Sequence, residues 1–243
     1  MRKYLVALLL LLAAVWGGCS NFSVWQTVHG SGNVLSEDRQ VSGFDSVSVS
    51  GGGELILAQG DEEALTIETD DNLLPFIKSE VQNGRLSIGP RNVNLTPTKS
   101  VRYQLKLKKL NDLESSGSVR VEADNIQTER FALSVSGSGN FNVAHLETQV
   151  LSTHISGSGS TSASGRAETQ DIDISGSGDH HASDLKSSKA VANISGSGHA
   201  SLWVTQTLTA HISGSGSVEY RGDATVASHV SGSGKVRRAR GGE

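Results

Sequence analysis

The C-terminal half of the chain repeats one arrangement of hydrophobic and polar positions around a short glycine motif. The tetrapeptide Ser-Gly-Ser-Gly occurs six times at intervals of 18–20 residues, starting at Ser136, Ser156, Ser175, Ser195, Ser213 and Ser231. The residue directly before each copy is a branched aliphatic one: Val135, Ile155, Ile174, Ile194, Ile212 and Val230. The residue before that is polar in every copy. Because successive side chains of a strand point to opposite faces, the pattern predicts a strand with its aliphatic position inward.

A fixed repeat of about 20 residues is typical of a solenoid. We interpret each copy as one coil, in which a strand leads to a Ser-Gly-Ser-Gly corner, a second strand follows and a looser segment returns. One coil is too thin to bury its own apolar edge, so stacked coils must share a core. Glycine at the corner permits positive φ and a close approach of backbones. The predicted fold is all-β, a parallel β-helix or β-solenoid with coils of 18–20 residues.

The N-terminal third also alternates between hydrophobic and polar residues, but it lacks the motif. Asn83-Gly84 lies between two such runs and is a strong signal for a type I′ hairpin. We predict one domain over residues 36–236, with capping strands in 36–112 and the repeats in 113–236. A basic tail, 237–243, follows it. Capping strands would block end-to-end pairing of the solenoid with other strands.

Composition narrows the class of protein further. Glycine supplies 28 of 243 residues, which is unfavourable for a helix bundle because interior glycine weakens helices. The formal net charge is -4, and an acidic chain lacks the basic surface that phosphate backbones require. We therefore expect no nucleic-acid partner.

The first 18 residues have the pattern of a targeting segment. Arg2 and Lys3 precede an apolar run over 5–15, and two glycines then precede Cys19, the only cysteine. The run is too short to span a bilayer as a helix. Residues 15–19 resemble a bacterial lipoprotein signal, which implies acylation of Cys19. We predict a lipoprotein-type signal peptide over 1–18 and a linker over 19–35 after the lipidated cysteine; the alternative is an ordinary secreted protein with an unpaired cysteine.

One outward column of the predicted solenoid is a candidate binding surface. It contains His154, Asp173, Asn193, His211 and His229, one residue from each of five successive coils. These side chains are expected to stack about 4.8 Å apart along one sheet, where they could hydrogen-bond an extended polymer such as a glycan. The alternative is a solvated polar surface without a ligand. Trp203 and Tyr220 are either stacking surfaces for such a polymer or packing residues.

The densest group of ionisable residues lies in one coil, between Gln170 and Lys186. It contains Asp171, Asp173, Asp179, His180, His181 and Asp184. His180 falls in an inward column whereas its two neighbours point outward, so the ligands do not share one face and we predict no metal site and no cofactor. No catalytic residues can be named, because no sequence signature pairs two carboxylates or a nucleophile with a base. The alternative is a polysaccharide-cleaving enzyme on a β-helix scaffold.

Dispersed motifs resemble a family of bacterial envelope proteins, the putative auto-transporter adhesin head domain or GIN domain. The similar segments are 39–47, Gly60-Asp61, 70–74, 83–88, the serial Ser-Gly-Ser-Gly copies and 218–222, and together they cover about 36–236. The resemblance implies a β-helical or β-solenoid fold in an envelope lipoprotein or secreted protein. It implies no catalytic residues.

These observations together favour an exported, lipid-anchored protein of the cell envelope. Ser20 after the cysteine resembles outer-membrane sorting, so we expect an outer membrane lipoprotein. Its expected role is non-catalytic: binding, adhesion or structural support through solenoid faces that contact a surface polysaccharide or an envelope protein. An exposed strand edge could also support self-association as a homo-oligomer.

Overall fold

A computed structural model describes residues 26–239, and 76% of these residues lie in β-strands. The strands are β1 (Gln26–His29), β2 (Val34–Arg39), β3 (Ser46–Gln59), β4 (Ala64–Asp70), β5 (Ile77–Gln82), β6 (Arg85–Pro90), β7 (Val93–Thr96), β8 (Arg102–Leu107), β9 (Asp112–Gln127), β10 (Arg130–Gly137), β11 (Asn140–Gly157), β12 (Ser160–Gly176), β13 (Asp179–Gly196), β14 (His199–Gly214), β15 (Ser217–Arg221), β16 (Thr225–Gly232) and β17 (Lys235–Arg238). A single 3-10 turn, Leu74–Phe76, is the only helical element of this range. The predicted β-solenoid is confirmed, with about six turns.

The long strands β11, β12, β13 and β14 each form most of one coil and pair in parallel with the next coil. The aliphatic residues before the glycine motif are in register, as in Ile155↔Ile174↔Ile194↔Ile212. All four are buried, whereas the residues on either side of each are mostly exposed. The alternation predicted from the sequence therefore builds a ribbon-shaped core that runs along the solenoid axis.

The two glycines of each motif are required for different reasons. Gly157 has a φ of +120°, and a Cβ there would lie 2.6 Å from the carbonyl oxygen of Gly137 in the preceding coil. Gly178 is limited by packing instead, because a Cβ there would lie 2.4 Å from Cγ2 of Ile155. The first glycine therefore allows the backbones to approach, and the second makes room for the aliphatic residue of the coil below.

The stack begins before the first Ser-Gly-Ser-Gly copy. β3 pairs in parallel with β9 without interruption from Ser46↔Asp112 to Leu57↔Ala123. Gly51 pairs with Gly117, so the glycines at 51–53 form a corner of the same column. The range 36–112, predicted as capping strands, thus contributes a bent coil in addition to covering strands.

The remaining N-terminal strands cover this first coil. β8 continues the parallel sheet beside β3, and β4 and β2 then add in antiparallel orientation. β5 and β6 form an antiparallel hairpin, and both residues of its turn, Asn83 and Gly84, have positive φ as a type I′ turn requires. β6 also pairs in parallel with β3.

Both ends of the described chain contain more strand than the sequence predicts. β1 and the start of β2 lie inside the predicted linker 19–35, and β1 pairs in parallel with β7. Arg237 and Arg238, assigned to the basic tail, lie in β17 and form ion pairs with Glu219 and Asp223. These pairings join residues far apart in sequence, so local composition does not indicate them. The signal peptide and Cys19 lie outside the described residues.

No helix within residues 26–239 is long and apolar enough to cross a membrane.

Candidate functional site

The five residues of the predicted binding column lie next to one another on five paired strands. His154 pairs with Asp173, Asp173 with Asn193, Asn193 with His211, and His211 with His229. We call this column the polar ladder. Its side chains are exposed or half-buried on the outer face of the sheet. The structure thus brings all five together, while ligand binding by them stays a prediction.

The side-chain contacts inside the polar ladder connect four of its five members in two pairs. The side-chain amide of Asn193 donates a hydrogen bond of 2.9 Å to Asp173 Oδ1. The rings of His211 and His229 stack in a tilted arrangement, with 6.4 Å between their centroids. The ladder therefore offers carboxylate, amide and imidazole groups at the regular interval of the strands, a suitable pattern for repeated hydrogen bonds to an extended polymer.

A second carboxylate lies beside the polar ladder on β12. Asp171 is two residues before Asp173 and points to the same face of the strand. Partial burial, and secondarily the negative charge of Asp173, raise the pKa of Asp171 above its ordinary value of 3.8. Because a perturbed carboxylate beside another is a feature of some active sites, this pair is the place where the cleavage alternative can be tested.

His180 is inside the core, as its column predicts, and is part of a buried polar network. Thr161 Oγ1 lies 2.7 Å from His180 Nδ1, and Gln170 Oε1 lies 3.5 Å from its Nε2. Gln170 in turn donates to Ser187 Oγ at 3.0 Å, and Ser187 donates to the carbonyl oxygen of Trp203 at 2.9 Å. Burial, and secondarily the neighbouring His181, lower the pKa of His180 to about 4. His180 is therefore neutral at neutral pH and unable to act from the surface.

Within the described part of the chain, no three His, Cys, Asp or Glu side chains come together as metal ligands. The residues of the Asp171–Asp184 group are divided between the core and the outer surface. His180 is buried, whereas His181 and Asp184 are exposed.

A column on the return side of the coils was not predicted from the sequence. Arg166, Lys186, Trp203 and Arg221 are register partners on four successive strands, β12 to β15. The Trp203 ring lies between two cations, with Arg221 Cζ 4.1 Å and Lys186 Nζ 5.4 Å from its centroid. We call these four residues the basic column. Trp203 therefore packs beside two charged side chains, and Tyr220 packs against the core.

The basic column cannot be predicted from the sequence because the strands are irregular there. The register shifts between Ala182 and Lys186, so equal spacing from the glycine motif does not align Lys186 with Trp203. A similar shift occurs between Ser162 and Ser164. The only signal in the sequence is Trp203 itself, a large aromatic residue in a chain of which only 5% is aromatic.

The fold and its surface columns define a class of protein, a parallel β-solenoid with regular polar faces. The chain belongs to the family described as putative auto-transporter adhesin, head GIN domain, whose model matches residues 43–224. An adhesin-type family indicates a non-catalytic role in adhesion and an extracellular or envelope-associated protein.

Solved structures of bacterial proteins share this fold. A putative lipid binding protein from Parabacteroides distasonis is 26% identical, with a TM-score of 0.75 over 88% of this chain and 100% of that one. A putative adhesin from Bacteroides fragilis is 21% identical, with a TM-score of 0.81 over 87% of this chain and 100% of that one. A putative adhesin from Parabacteroides merdae is 23% identical, with a TM-score of 0.73 over 88% and 100%. No curated protein gives a significant sequence match.

Proposed function

We propose that this protein is an exported, lipid-anchored outer membrane protein that binds a surface polysaccharide without cleaving it. The lipid on Cys19 would hold the chain at the membrane, and the solenoid would present the polar ladder to the polymer. An envelope protein is the other partner to be tested, and a free strand edge would allow self-association.

The observation that supports this proposal is the unbroken register of the polar ladder over five strands. A flat face with one polar side chain in each coil matches a ligand with a repeated unit, because each coil presents a hydrogen-bonding group at the same interval. Many weak contacts then add up to useful affinity. The family's description as an adhesin agrees with such a role.

Retention on immobilised polysaccharides tests the binding role, and polymer length measured in the same sample tests cleavage. The full-length chain is expressed with Cys19→Ser so that no lipid is attached, and it is incubated with a panel of envelope and host polysaccharides. We expect retention of at least one polymer with no change in its length. Shortening of the polymer that Asp171→Asn abolishes would instead establish the enzyme alternative.

The chain offers a matched control for the polar ladder. His181 and His199 form another tilted histidine pair, also with 6.4 Å between ring centroids, on the strand segments after the corner. Replacing His211 and His229 together by alanine should weaken retention, whereas replacing His181 and His199 together should not. Equal retention by the two double variants would contradict binding by the ladder. Co-purification with an envelope protein in the absence of any retained polymer would favour a protein partner.

Lipid attachment is tested separately on cells. Cells are fed a fatty acid analogue that carries a detectable tag, and membranes are then fractionated. We expect the wild-type chain to carry the tag in the outer membrane fraction and Cys19→Ser to lack it. A tag-free wild-type chain would show that the protein is secreted without an anchor.

A further inference from the structure

A second surface of the solenoid, the groove beside the basic column, has the chemistry of an anion-binding site. We propose that this groove binds the carboxylate or sulfate groups of an acidic polysaccharide. The inference rests on the proposed polymer-binding function and assigns it a site and a ligand class. The groove lies on the return side of the coils, and the residues that form it are separate from those of the polar ladder.

The shape of the groove is determined by a glycine. A depression of about 400 Å³ is lined by His145, Glu147, Gly165, Arg166, Lys186 and Trp203. Gly165 has a φ of +116°, and a Cβ there would lie 2.3 Å from the carbonyl oxygen of Leu146. The floor of the groove therefore carries no side chain at Gly165, and side chains from the neighbouring coils form its walls. A second depression of about 210 Å³ adjoins it and shares Arg166 and Lys186.

The cations of the basic column differ in how they are held, and only Arg166 and Lys186 line the groove. Arg221 is fixed by an ion pair with Asp184, at 3.0 Å, and by its position over the Trp203 ring. Arg166 and Lys186 form no ion pair with any residue of 26–239. Both are exposed and are direct register partners. Two neighbouring unpaired cations repel each other, so an anion placed between them would be stabilised.

Trp203 contributes by holding a cation in place. Lys186 Nζ lies 5.4 Å from the ring centroid, a distance at which a cation–π contact is favourable. Because this contact already restricts the Lys186 side chain, less conformational entropy is lost when the lysine binds a ligand. The Trp203 carbonyl also accepts the hydrogen bond from buried Ser187, which ties this strand to the coil below.

The extent of the site favours a polymer as its ligand. The adjoining depressions run over several coils, and Ser188 and Thr205 line the second one with hydroxyl groups. Hydroxyls suit the neutral parts of a sugar chain, and the guanidinium and ammonium groups suit its acidic substituents. Arg166 and Lys186 outnumber Glu147, the one carboxylate among the lining residues, whereas the whole chain carries a net charge of -4, so this groove is a local exception that distinguishes acidic from neutral polymers.

Binding to polymers of defined charge tests the inference. The full-length chain with Cys19→Ser is titrated with alginate and chondroitin sulfate as acidic probes, dextran as a neutral probe, and phosphatidylglycerol vesicles as a lipid surface. We expect binding to an acidic polymer that weakens with added salt. The double variant Arg166→Ala/Lys186→Ala should bind about tenfold more weakly, and Lys186→Arg should bind as the wild type does. Lys189→Ala is the matched control, because it removes an exposed lysine of the same strand that does not line the groove.

The outcomes separate the inference from the function on which it rests. Retention of a polymer that is unchanged in the double variant would overturn the groove assignment and leave the proposed function intact. Retention of dextran alone would do the same. Vesicle binding through Arg166 and Lys186 without alginate or chondroitin sulfate binding would overturn the glycan assignment. Failure to retain any polymer would overturn both. A weakening by Lys189→Ala equal to that of the double variant would show non-specific charge attraction and would also overturn the site.

Discussion

Asp70 accepts two hydrogen bonds from Thr98, one from its backbone N–H at 2.8 Å and one from its hydroxyl at 2.7 Å. The backbone N–H of Gly32 donates a third, also at 2.8 Å. These bonds, the Thr98 hydroxyl first, lower the pKa of Asp70 below its ordinary value of 3.8. One carboxylate at the end of β4 therefore joins the segments that follow β1 and β7, and it supports the parallel pairing of these two strands.

Replacing Asp70 should release the N-terminal strand without unfolding the solenoid. In Asp70→Asn one oxygen becomes a donor that faces the donors of Thr98, so we expect amide hydrogen exchange in residues 26–33 to become about tenfold faster. Asp38→Asn is the control, since Asp38 is an exposed carboxylate that accepts a bond only from Thr66. Equal exchange in the two variants would contradict the fastening role.

The same contact predicts a dependence on acid. The folded pKa of Asp70 is lower than that of the unfolded chain, so its contribution to stability is complete above the unfolded value of about 3.9. It is lost as the pH falls through the folded pKa. Exchange in residues 26–33, corrected for the intrinsic pH dependence of exchange, should therefore rise in strong acid in the wild type and stay high in Asp70→Asn.

The second glycine of each motif should be more sensitive to substitution than a glycine in open space. In Gly178→Ala the new Cβ would lie 2.4 Å from Ile155 Cγ2 and 2.8 Å from the Gly159 carbonyl oxygen. Both neighbours belong to the tightly packed preceding coil, so we expect a loss of about 1–3 kcal/mol in the free energy of unfolding, measured by urea denaturation. Gly60→Ala is the control because its Cβ would meet nothing within 4 Å. A midpoint for Gly178→Ala equal to that of Gly60→Ala would contradict the packing argument.

The sequence predicts the corners well because each coil repeats the same local constraint there. In each coil the branched aliphatic residue and the outward polar residue lie at a fixed sequence distance from the glycines. The positions of the buried aliphatic residues and of the polar ladder can therefore be predicted from this spacing. The first coil is harder to recognise since its corner, at 51–53, replaces the motif with three glycines. Its register with β9 becomes visible only in the structure.

The return side could not be predicted for a physical reason. Extra residues bulge out of the strands there without disturbing the core, so spacing is not conserved from coil to coil. The basic column depends on these bulges, as the register shift between Ala182 and Lys186 shows. The Asp70–Thr98 contact is hidden for another reason, because it joins segments 28 residues apart through side chains and a loop.

The carboxylate beside the polar ladder should be slightly destabilising at neutral pH. The folded pKa of Asp171 is raised by burial and by Asp173, so the charged form is disfavoured in the folded chain. Asp171→Asn should therefore increase the free energy of unfolding at pH 7, by no more than about 1 kcal/mol because the group is largely exposed to solvent. The gain should disappear below the unfolded pKa, where both states are protonated. Asp61→Asn, in an exposed turn, is the control, and an equal gain in both variants would contradict the role of the Asp171 environment, which is partial burial first and Asp173 second.

The buried histidine should make the whole solenoid sensitive to mild acid. The unfolded chain protonates His180 near pH 6.5, whereas the folded chain does so only at about pH 4. Between these values the unfolded state binds more protons, so the free energy of unfolding falls as the pH falls, by about 3 kcal/mol in total. Above pH 6.5 this contribution is complete and no longer changes.

A comparison of pH slopes isolates this contribution from the cost of the substitution itself. His180→Ala introduces the residue that occupies the same column in the next coil, Ala200, and leaves no titrating group in the core. It should be less stable than the wild type at pH 7, because it leaves a cavity and breaks the bonds to Thr161 and Gln170. Its urea midpoint should nevertheless depend less on pH between 6.5 and 4. His145→Ala, which removes an exposed histidine, should keep the wild-type slope. Parallel curves for the wild type and His180→Ala would show that protonation at other sites, and not at the buried imidazole, controls the acid sensitivity.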